Sequence, residues 1–181
     1  MKPPIGKSNE WYTPVPYVEA SRTVLGCIDT DPASCAFANE TVKATRYYTQ
    51  SDNGLMLPWI GRCFINPPFG KTESGQSLLK MFTTRLIQQH EAGICTEAIL
   101  LIPVNTATRW FVPLWQYPIC FPVKRIRFNT ELGKSDGAAF PTCLVYLGPQ
   151  EEKFIDVFSK FGPVARGCGP VVARYDQPEL F

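Results

Sequence analysis

The chain has 181 residues, 45% of them hydrophobic, which is enough for one sizeable core and gives no reason to expect a second domain. The formal net charge is only +2 and charged residues make up 19%, so overall charge does not predict a nucleic-acid partner. No window approaches the roughly 18 consecutive apolar residues of a membrane span, and the N-terminus lacks the apolar core of a signal peptide. We therefore expect a single soluble domain over residues 1–181.

The seven cysteines lie one by one in apolar stretches and form none of the close pairs that zinc ribbons or disulfide frameworks use. They occupy positions 27, 35, 63, 95, 120, 143 and 168. This spacing predicts buried free thiols in a reducing cytoplasm, and it gives no reason to expect a metal site.

Hydrophobic period and turn residues predict alternating strands and helices, the pattern of an α/β protein with a mainly parallel sheet. The first half is predicted to contain a helix over Pro16–Thr23, a strand over Val24–Asp29, a helix over Ala33–Ala44, a strand over Arg46–Thr49, a turn at Asp52–Gly54 and a strand over Arg62–Ile65. The second half is predicted to contain a helix over Ser77–His90, a central strand over Ala98–Val104, a helix over Thr108–Trp115, a strand around Ile119–Phe128, a loop over Asn129–Ala139, a strand over Thr142–Leu147 and a helix over Glu151–Phe161.

The tetrapeptide Asn66-Pro67-Pro68-Phe69 follows a predicted strand and is the most informative motif in the chain. An exocyclic amine of a nucleobase is a poor nucleophile because its lone pair is delocalised into the ring. The Asn66 side-chain carbonyl and the Pro67 backbone carbonyl can accept its N–H groups, and the prolines fix both acceptors toward one point. Phe69 can stack on a base extruded from a duplex. The motif predicts catalysis on a planar amine; the alternative is a proline turn that ends a strand.

Acidic residues follow the first predicted strand. A carboxylate at the carboxyl end of a parallel strand can accept both hydroxyls of a ribose or face an ammonium group, and Asp29 and Asp31 are both placed for this. Alternatively, Asp31 caps the helix predicted from Ala33. Asp52 can bind the adenine amine of a cofactor, or it can simply belong to its Asp-Asn-Gly turn.

These motifs, taken in order, resemble those of the phage-type DNA N6-adenine methyltransferases, the Dam-like family. NPPF alone is shared by many amino-methyltransferases, whereas the ordered set is much more specific. The resemblance covers most of the chain and is carried by WYTP at residues 11–14, IDTDPAS at 28–34, YYT at 47–49, WIGR at 59–62, NPPF at 66–69 and the later segments 103–110, 125–128 and 145–148.

The resemblance implies a Rossmann-like class I methyltransferase fold, with a mainly parallel sheet, an antiparallel C-terminal strand and helices on both faces. It implies S-adenosyl-L-methionine as the methyl donor and adenine in DNA as the acceptor, in the cytoplasm of a bacterial or phage-infected cell. Carried over by position, residues 66–69 form the catalytic loop. The implied cofactor-binding residues are Tyr12, Thr13, Pro14, Asp29, Asp31 and Pro32.

One departure concerns the phenylalanine-x-glycine-x-glycine loop that opens most methyltransferase cofactor sites, because residues 31–34 have no glycine in the nearest equivalent place. Either this segment is a divergent first strand and loop, or it belongs to the second strand and the usual first unit is missing. The departure leaves open a catalytically silent nucleic-acid-binding module with the same fold. Among enzymes, cytosine N4, adenine in RNA and protein glutamine remain alternative acceptors for an NPPF loop.

Contacts to DNA are predicted in the loop Gly70–Gln76 and in the stretch Lys124–Lys134, where basic and aromatic residues lie side by side. The predicted DNA-binding residues are Lys71, Lys124, Arg125 and Arg127. For the second stretch, a solvated sheet edge with protective charges is the alternative. Because the chain has little room for a separate target-recognition domain, we expect weak or short sequence specificity, or recognition supplied by a partner or a homodimer.

Overall fold

The computed structural model describes residues 11–130, 133–134 and 140–169, which form a mixed α/β fold. The helices are α1 (Val15–Leu25), α2 (Ala36–Val42), α3 (Leu78–Glu91) and α4 (Glu151–Phe158), with 3-10 helices at Gly54–Met56 and Val112–Gln116. The strands are β1 (Thr30–Asp31), β2 (Arg46–Tyr47), β3 (Gly61–Ile65), β4 (Cys95–Pro103), β5 (Ile119–Cys120), β6 (Asn129–Thr130), β7 (Gly133–Lys134), β8 (Thr142–Leu147) and β9 (Val164–Ala165). Among these described elements, no helix is both long and apolar enough to cross a membrane.

Within the described part of the chain, seven strands form one sheet in the order β2-β1-β3-β4-β8-β5-β9. The first four of these are parallel to one another, β8 runs antiparallel to both of its neighbours, and β9 is antiparallel to β5. The chain moves outward from β1 to β2 and then crosses to β3 on the other side of β1. The order therefore reverses between β1 and β3, and such a switch point opens a ligand crevice at the carboxyl ends of the strands.

Hydrophobic side chains fill both faces of the sheet because alternate residues of its central strands point to opposite sides. In β4, Ile99 and Leu101 face one core while Leu100 and Ile102 face the other. The first core includes buried residues of α1, α2 and α4, and the second includes buried residues of α3. The predicted arrangement, a mainly parallel sheet with helices on both faces, is confirmed at this level.

Helices and strands whose hydrophobic pattern in the sequence is unbroken match their predicted bounds closely. β8 has the predicted bounds and is the antiparallel strand, and α3 begins where the Ser77 side chain accepts a hydrogen bond from the Lys80 N–H. β3 begins one residue before its predicted strand, and β4 begins three residues before its predicted strand and ends one residue earlier. By contrast, α2 is shorter than the predicted Ala33–Ala44, because Cys35 caps its start and Lys43 adopts a left-handed conformation with φ +51°.

The prediction of a strand over Val24–Asp29 is wrong. α1 continues through Leu25 and ends at Gly26, whose N–H donates to the Arg22 carbonyl and whose φ of +85° is a conformation that suits glycine. The strand itself begins only at Thr30. The apolar run was therefore divided between the end of a helix and the approach to a strand.

Two predictions in the second half are too long. The strand predicted over Ile119–Phe128 ends at Cys120, shortly before Pro122, which cannot donate to a strand ladder. The helix predicted over Thr108–Trp115 is reduced to turns and the 3-10 helix Val112–Gln116, which has a proline in its first turn. The predicted loop over residues 129–139 contains the hairpin of β6 and β7, and its other residues lie outside the described part.

All seven cysteines are free thiols, as the spacing predicted. Those at positions 63, 95, 120 and 143 are buried, and those at 27 and 35 are partly buried. Cys168 is exposed, so the prediction of a buried thiol is wrong there. Within residues 11–130, 133–134 and 140–169, no cluster of three or more histidine, cysteine or acidic side chains could hold a metal ion.

Candidate active site

A cavity of about 560 Å³ opens at the carboxyl ends of β1 and β3, where the order of the strands reverses. Its size falls in the range of small-molecule and cofactor sites. Its walls include residues 11–13, 31–35, 49–50, 53–55, 66–69 and 71–73. Segments that are distant in the sequence therefore meet at the position that the sheet topology favours for a ligand.

The NPPF segment follows directly after β3 and lines this cavity. The Asn66 amide donates through Nδ2 to the Trp11 backbone carbonyl at 2.6 Å, which leaves its carbonyl oxygen as the acceptor on the other branch. Pro67 is buried and Pro68 is exposed, and neither has an N–H to offer. The cavity-lining loop therefore has carbonyl acceptors, no N–H donor on either proline and an Asn66 amide N–H group already engaged by Trp11.

Phe69 belongs to an aromatic cluster at the edge of the cavity. Its ring makes edge-to-face contacts with Phe140 at 5.6 Å and Phe128 at 6.4 Å between centroids. The Trp11 ring contacts the same two phenylalanines at 6.3 and 5.5 Å. The sequence assigned no role in the site to Trp11, Phe128 or Phe140, because their contacts join segments far apart in the chain. Phe69 is only partly buried, which leaves it accessible from the cavity.

The N-terminal segment forms another wall. The Tyr12 backbone exchanges hydrogen bonds with Asn129, each of 2.9 Å, and the Tyr12 hydroxyl accepts from the Cys35 thiol. Thr13 is 5% exposed, and its hydroxyl has no hydrogen-bond partner among the described residues. Pro14 lies outside the cavity wall and precedes the first turn of α1. A buried hydroxyl without a partner is costly, which suits Thr13 to contact a polar ligand.

Asp31 ends β1 and is a buried acidic group in the cavity wall. It is 3% exposed, and no lysine or arginine among the described residues forms a salt bridge with it. Burial raises the pKa of its carboxyl from the ordinary 3.8 to about 7, and the hydrogen bond from the Ala33 N–H at 3.1 Å opposes that rise. Because Cys35 is the residue that caps α2, the alternative of Asp31 as a helix cap is wrong. Its position suits a cationic ligand.

Asp29, also predicted to bind the cofactor, lies outside the cavity wall. Its carboxylate accepts hydrogen bonds from both the side chain and the backbone N–H of Arg62, at 2.9 and 2.8 Å. Burial opposes its ionisation, but these hydrogen bonds outweigh burial and lower the pKa of Asp29. Its charge is already matched within the protein, so we assign it a structural role.

Asp52 also lies outside the wall, whereas other residues of its turn line the cavity. Its carboxylate accepts hydrogen bonds from the Thr49 hydroxyl and N–H, which lower its pKa. This arrangement favours the turn over the cofactor contact. The residues of this turn that line the cavity are Thr49, Gln50, Asn53 and Gly54, and the turn signal alone could not distinguish them from Asp52.

The predicted basic residues lie on loops at the same edge of the sheet. Lys71 follows the NPPF segment and lines the cavity. β5 runs in the direction of β4, so residues 121–128 leave the sheet at the edge where the cavity opens, and Lys124, Arg125 and Arg127 are exposed there. Residues 121–128 are not a strand, whereas the same basic stretch continues into the hairpin of β6 and β7, so the alternative of a sheet edge with protective charges is disfavoured only for Lys124, Arg125 and Arg127.

Comparison with known protein families gives a match that covers most of the chain. Residues 3–156 match the family described as DNA N-6-adenine-methyltransferase (Dam). The chain belongs to this Dam family. All segments that line the cavity lie inside the matched range. No curated protein and no solved structure gave a match.

The geometry also explains how this Dam-family chain forms a tight loop after β1 without a glycine in residues 31–34. A Cβ at Gly54 would collide with the Pro32 carbonyl, so the glycine that permits close approach comes from the turn after β2. The Ser34 N–H donates to the Tyr48 carbonyl at 2.8 Å and holds the loop against the same segment. Because β1 pairs directly with β3 at the switch point, its place in the sheet favours the interpretation of the IDTDPAS segment as a divergent first strand and loop.

Proposed function

We propose that this Dam-family protein has a Rossmann-like class I methyltransferase fold and transfers a methyl group from S-adenosylmethionine to the N6 amine of adenine in DNA. The observation that carries the proposal is that Asn66 and the buried Asp31 end adjacent strands and line one cavity. One wall of the cavity contains Asn66 and Pro67, whose carbonyl oxygens can accept hydrogen bonds from an amine, and another contains Asp31, which has no salt bridge among the described residues. The proposed reaction needs both groups: a carboxyl group to bind the positively charged methyl donor, and carbonyl oxygens to accept hydrogen bonds from the amine that receives the methyl group.

The described residues fit the cofactor. S-adenosylmethionine, when bound, supplies an electrophilic methyl group on a sulfonium, and it carries an ammonium group. Asp31 has no cation of its own among the described residues, and Thr13 has a buried hydroxyl without a partner. We propose that Asp31 and Thr13, with Tyr12 and Pro32 beside them, hold the cofactor in the cavity.

Asn66 and Pro67 act on the target amine. Their carbonyl oxygens accept its two N–H groups, which frees the nitrogen lone pair for attack. Acceptors fixed in this way resemble the preorganised groups whose removal costs about 100- to 1,000-fold in other enzymes. Phe69 stacks on the extruded base, a contact worth about 1–3 kcal/mol, which is comparable with the cost of extruding the base. The proton leaves the amine after the transfer.

Four cations on the loops after β3 and β5 contact the DNA phosphates in this proposal: Lys71, Lys124, Arg125 and Arg127. Lys71 lines the cavity, and the other three are exposed on the loop after β5, which leaves the sheet at the same edge. Phosphate contacts position a duplex but do not read its sequence. We therefore propose weak or short sequence specificity, unless a partner or a second copy of the chain supplies recognition.

The identity of the substrate that accepts the methyl group is tested by incubating the purified chain with isotopically labelled S-adenosylmethionine and duplex DNA, RNA or protein. The products are then identified by mass analysis. N6-methyladenine in DNA is the expected result. Label only in N4-methylcytosine, in RNA or in protein glutamine would contradict the proposed substrate. If calorimetry detected no binding of the cofactor, the result would instead favour the alternative of a catalytically silent nucleic-acid-binding module with the same fold.

Specificity is tested on duplexes of random sequence, with the methylated adenines located by sequencing. We expect methylation in many unrelated contexts. Strict dependence of the purified chain on a six-base site would contradict weak specificity while leaving the acceptor unchanged.

A further inference from the structure

The orientation of the Asn66 amide decides what the catalytic loop offers to a substrate. A side-chain amide has an acceptor branch and a donor branch, and a rotation of 180° exchanges them. Only one orientation presents the carbonyl oxygen to an incoming amine. In the structure this orientation is fixed by the hydrogen bond from Asn66 Nδ2 to the Trp11 carbonyl, at 2.6 Å, across 55 residues of sequence.

The Trp11 carbonyl is held from both sides. The Trp11 ring packs against Phe128 at 5.5 Å and nearly parallel to Phe140 at 6.3 Å between centroids. On the other side, the Tyr12 backbone both donates to and accepts from Asn129. The ring contacts and the backbone pairing therefore fix the peptide group between residues 11 and 12, which carries the acceptor for Asn66.

We propose that Trp11 is a positioning residue for methyl transfer, because its anchored carbonyl orients the Asn66 amide with the carbonyl oxygen toward the target amine. This inference rests on the proposed role of Asn66. It predicts that Trp11 affects the chemical step rather than cofactor binding, since its hydrogen bond is to Asn66 and not to the groups around Asp31. A purely structural tryptophan would instead lower stability or affinity without a selective effect on transfer.

The first test compares Trp11→Ala and Trp11→Phe with the wild type in single-turnover transfer, with the cofactor and DNA saturating. We expect the transfer rate of Trp11→Ala to fall about 10- to 100-fold, a loss typical of small displacements of catalytic groups. Trp11→Phe, which keeps an aromatic anchor, should recover most of the rate. The affinity for S-adenosylmethionine should change little in either variant.

The control is Phe161→Ala, which removes a ring that stacks on Tyr17 at 4.4 Å, packs against the same core and lies outside the cavity wall. We expect it to keep the wild-type transfer rate. Thermal unfolding checks that each variant folds. If Trp11→Ala does not fold, Trp11→Leu replaces it, with the same expected loss of rate and the same criterion for rejection.

The second test repeats Trp11→Ala in an Asn66→Asp background. A carboxylate has two equivalent acceptor oxygens and hence no wrong orientation, so removal of the Trp11 side chain should cost far less there. An equal loss in both backgrounds, an unchanged transfer rate in Trp11→Ala or a loss confined to cofactor affinity would overturn the inference. Full activity in Asn66→Ala would overturn the proposed function itself, whereas an inactive Asn66→Ala with a fully active Trp11→Ala would reject only the role of Trp11.

Discussion

Asp29 immediately precedes the short strand β1 and Asp31 ends it, and the fold places the two carboxyl groups in different environments. Asp29 is partly exposed and paired with Arg62, which helps to lower its pKa. Asp31 is buried in the cavity wall, and its pKa rises to about 7. A buried carboxyl group without its own cation is costly to ionise, so it suits a cationic ligand. The comparison shows that two neighbouring residues of the same type differ in burial and in charge pairing, and this difference is the basis for proposing only Asp31 as a ligand-binding group.

Substitution by asparagine tests the comparison most strongly, because it keeps the shape of each side chain and removes its charge. We expect Asp31→Asn to raise the Kd for S-adenosylmethionine about 10- to 100-fold, the loss expected for a hydrogen bond to a charged group. Asp29→Asn is the matched control and should leave this Kd nearly unchanged. Isothermal titration calorimetry measures both variants. Equal losses in the two variants would remove the distinction between the two carboxylates.

The pH dependence of cofactor binding should sharpen the same distinction. Because a cation binds the ionised form, Asp31 must lose its proton on binding when the pH is below its pKa of about 7. The wild-type Kd should therefore rise by up to about tenfold per unit as the pH falls from 7 to 6 and then to 5.5. Asp31→Asn should show a flat profile over this range. A wild-type profile that is equally flat would contradict the role of Asp31.

The Asp29–Arg62 pair should contribute to stability rather than to binding. Both side chains are about a third exposed, so solvent screens the ion pair, but Asp29 also accepts the Arg62 backbone N–H. We expect Asp29→Asn to lower the free energy of unfolding by about 1 kcal/mol in urea titration. As a control, Arg166→Gln breaks an exposed pair with Glu152 and should give no measurable change. A weakened cofactor affinity with unchanged stability in Asp29→Asn would reverse the assignment.

Asp52 provides the smallest expected effect. Its carboxylate holds the turn through Thr49 and does not line the cavity. Asp52→Asn should therefore change the Kd for S-adenosylmethionine by no more than about twofold, as is usual for substitutions at the surface. A loss as large as that of Asp31→Asn would restore the direct cofactor contact that the sequence left open.

The sequence predicted best what depends on local pattern. β8 and α3 follow from apolar runs and helical spacing, and the NPPF segment was found because its chemistry lies within four consecutive residues. The run at residues 24–29 was misassigned because Gly26 ends α1 through its backbone conformation, which hydrophobic period does not report.

Contacts across long sequence distances could not be predicted in this way. The position of Asp29 near a predicted strand end favours a cofactor contact, and local pattern does not report that its partner Arg62 lies 33 residues away; the hydrogen bond from the Asn66 amide to the Trp11 carbonyl likewise spans 55 residues. The cavity shape depends similarly on Gly54, which admits the Pro32 carbonyl from another loop. A single sequence carries no signal for such pairings, so local pattern can nominate candidate residues but cannot predict which of them contact one another.

We propose that the residues around Asp31 bind the methyl donor and that Asn66 binds the target amine. The most direct test of this division uses Asn66→Ala in two measurements on the same preparation. We expect its Kd for S-adenosylmethionine to stay close to that of the wild type, because Asp31 and its neighbours are untouched. Its rate of methyl transfer to adenine in DNA should fall by at least about 100-fold, because the acceptor for the target amine is lost. Loss of cofactor binding in this variant, or transfer at the wild-type rate, would contradict the account.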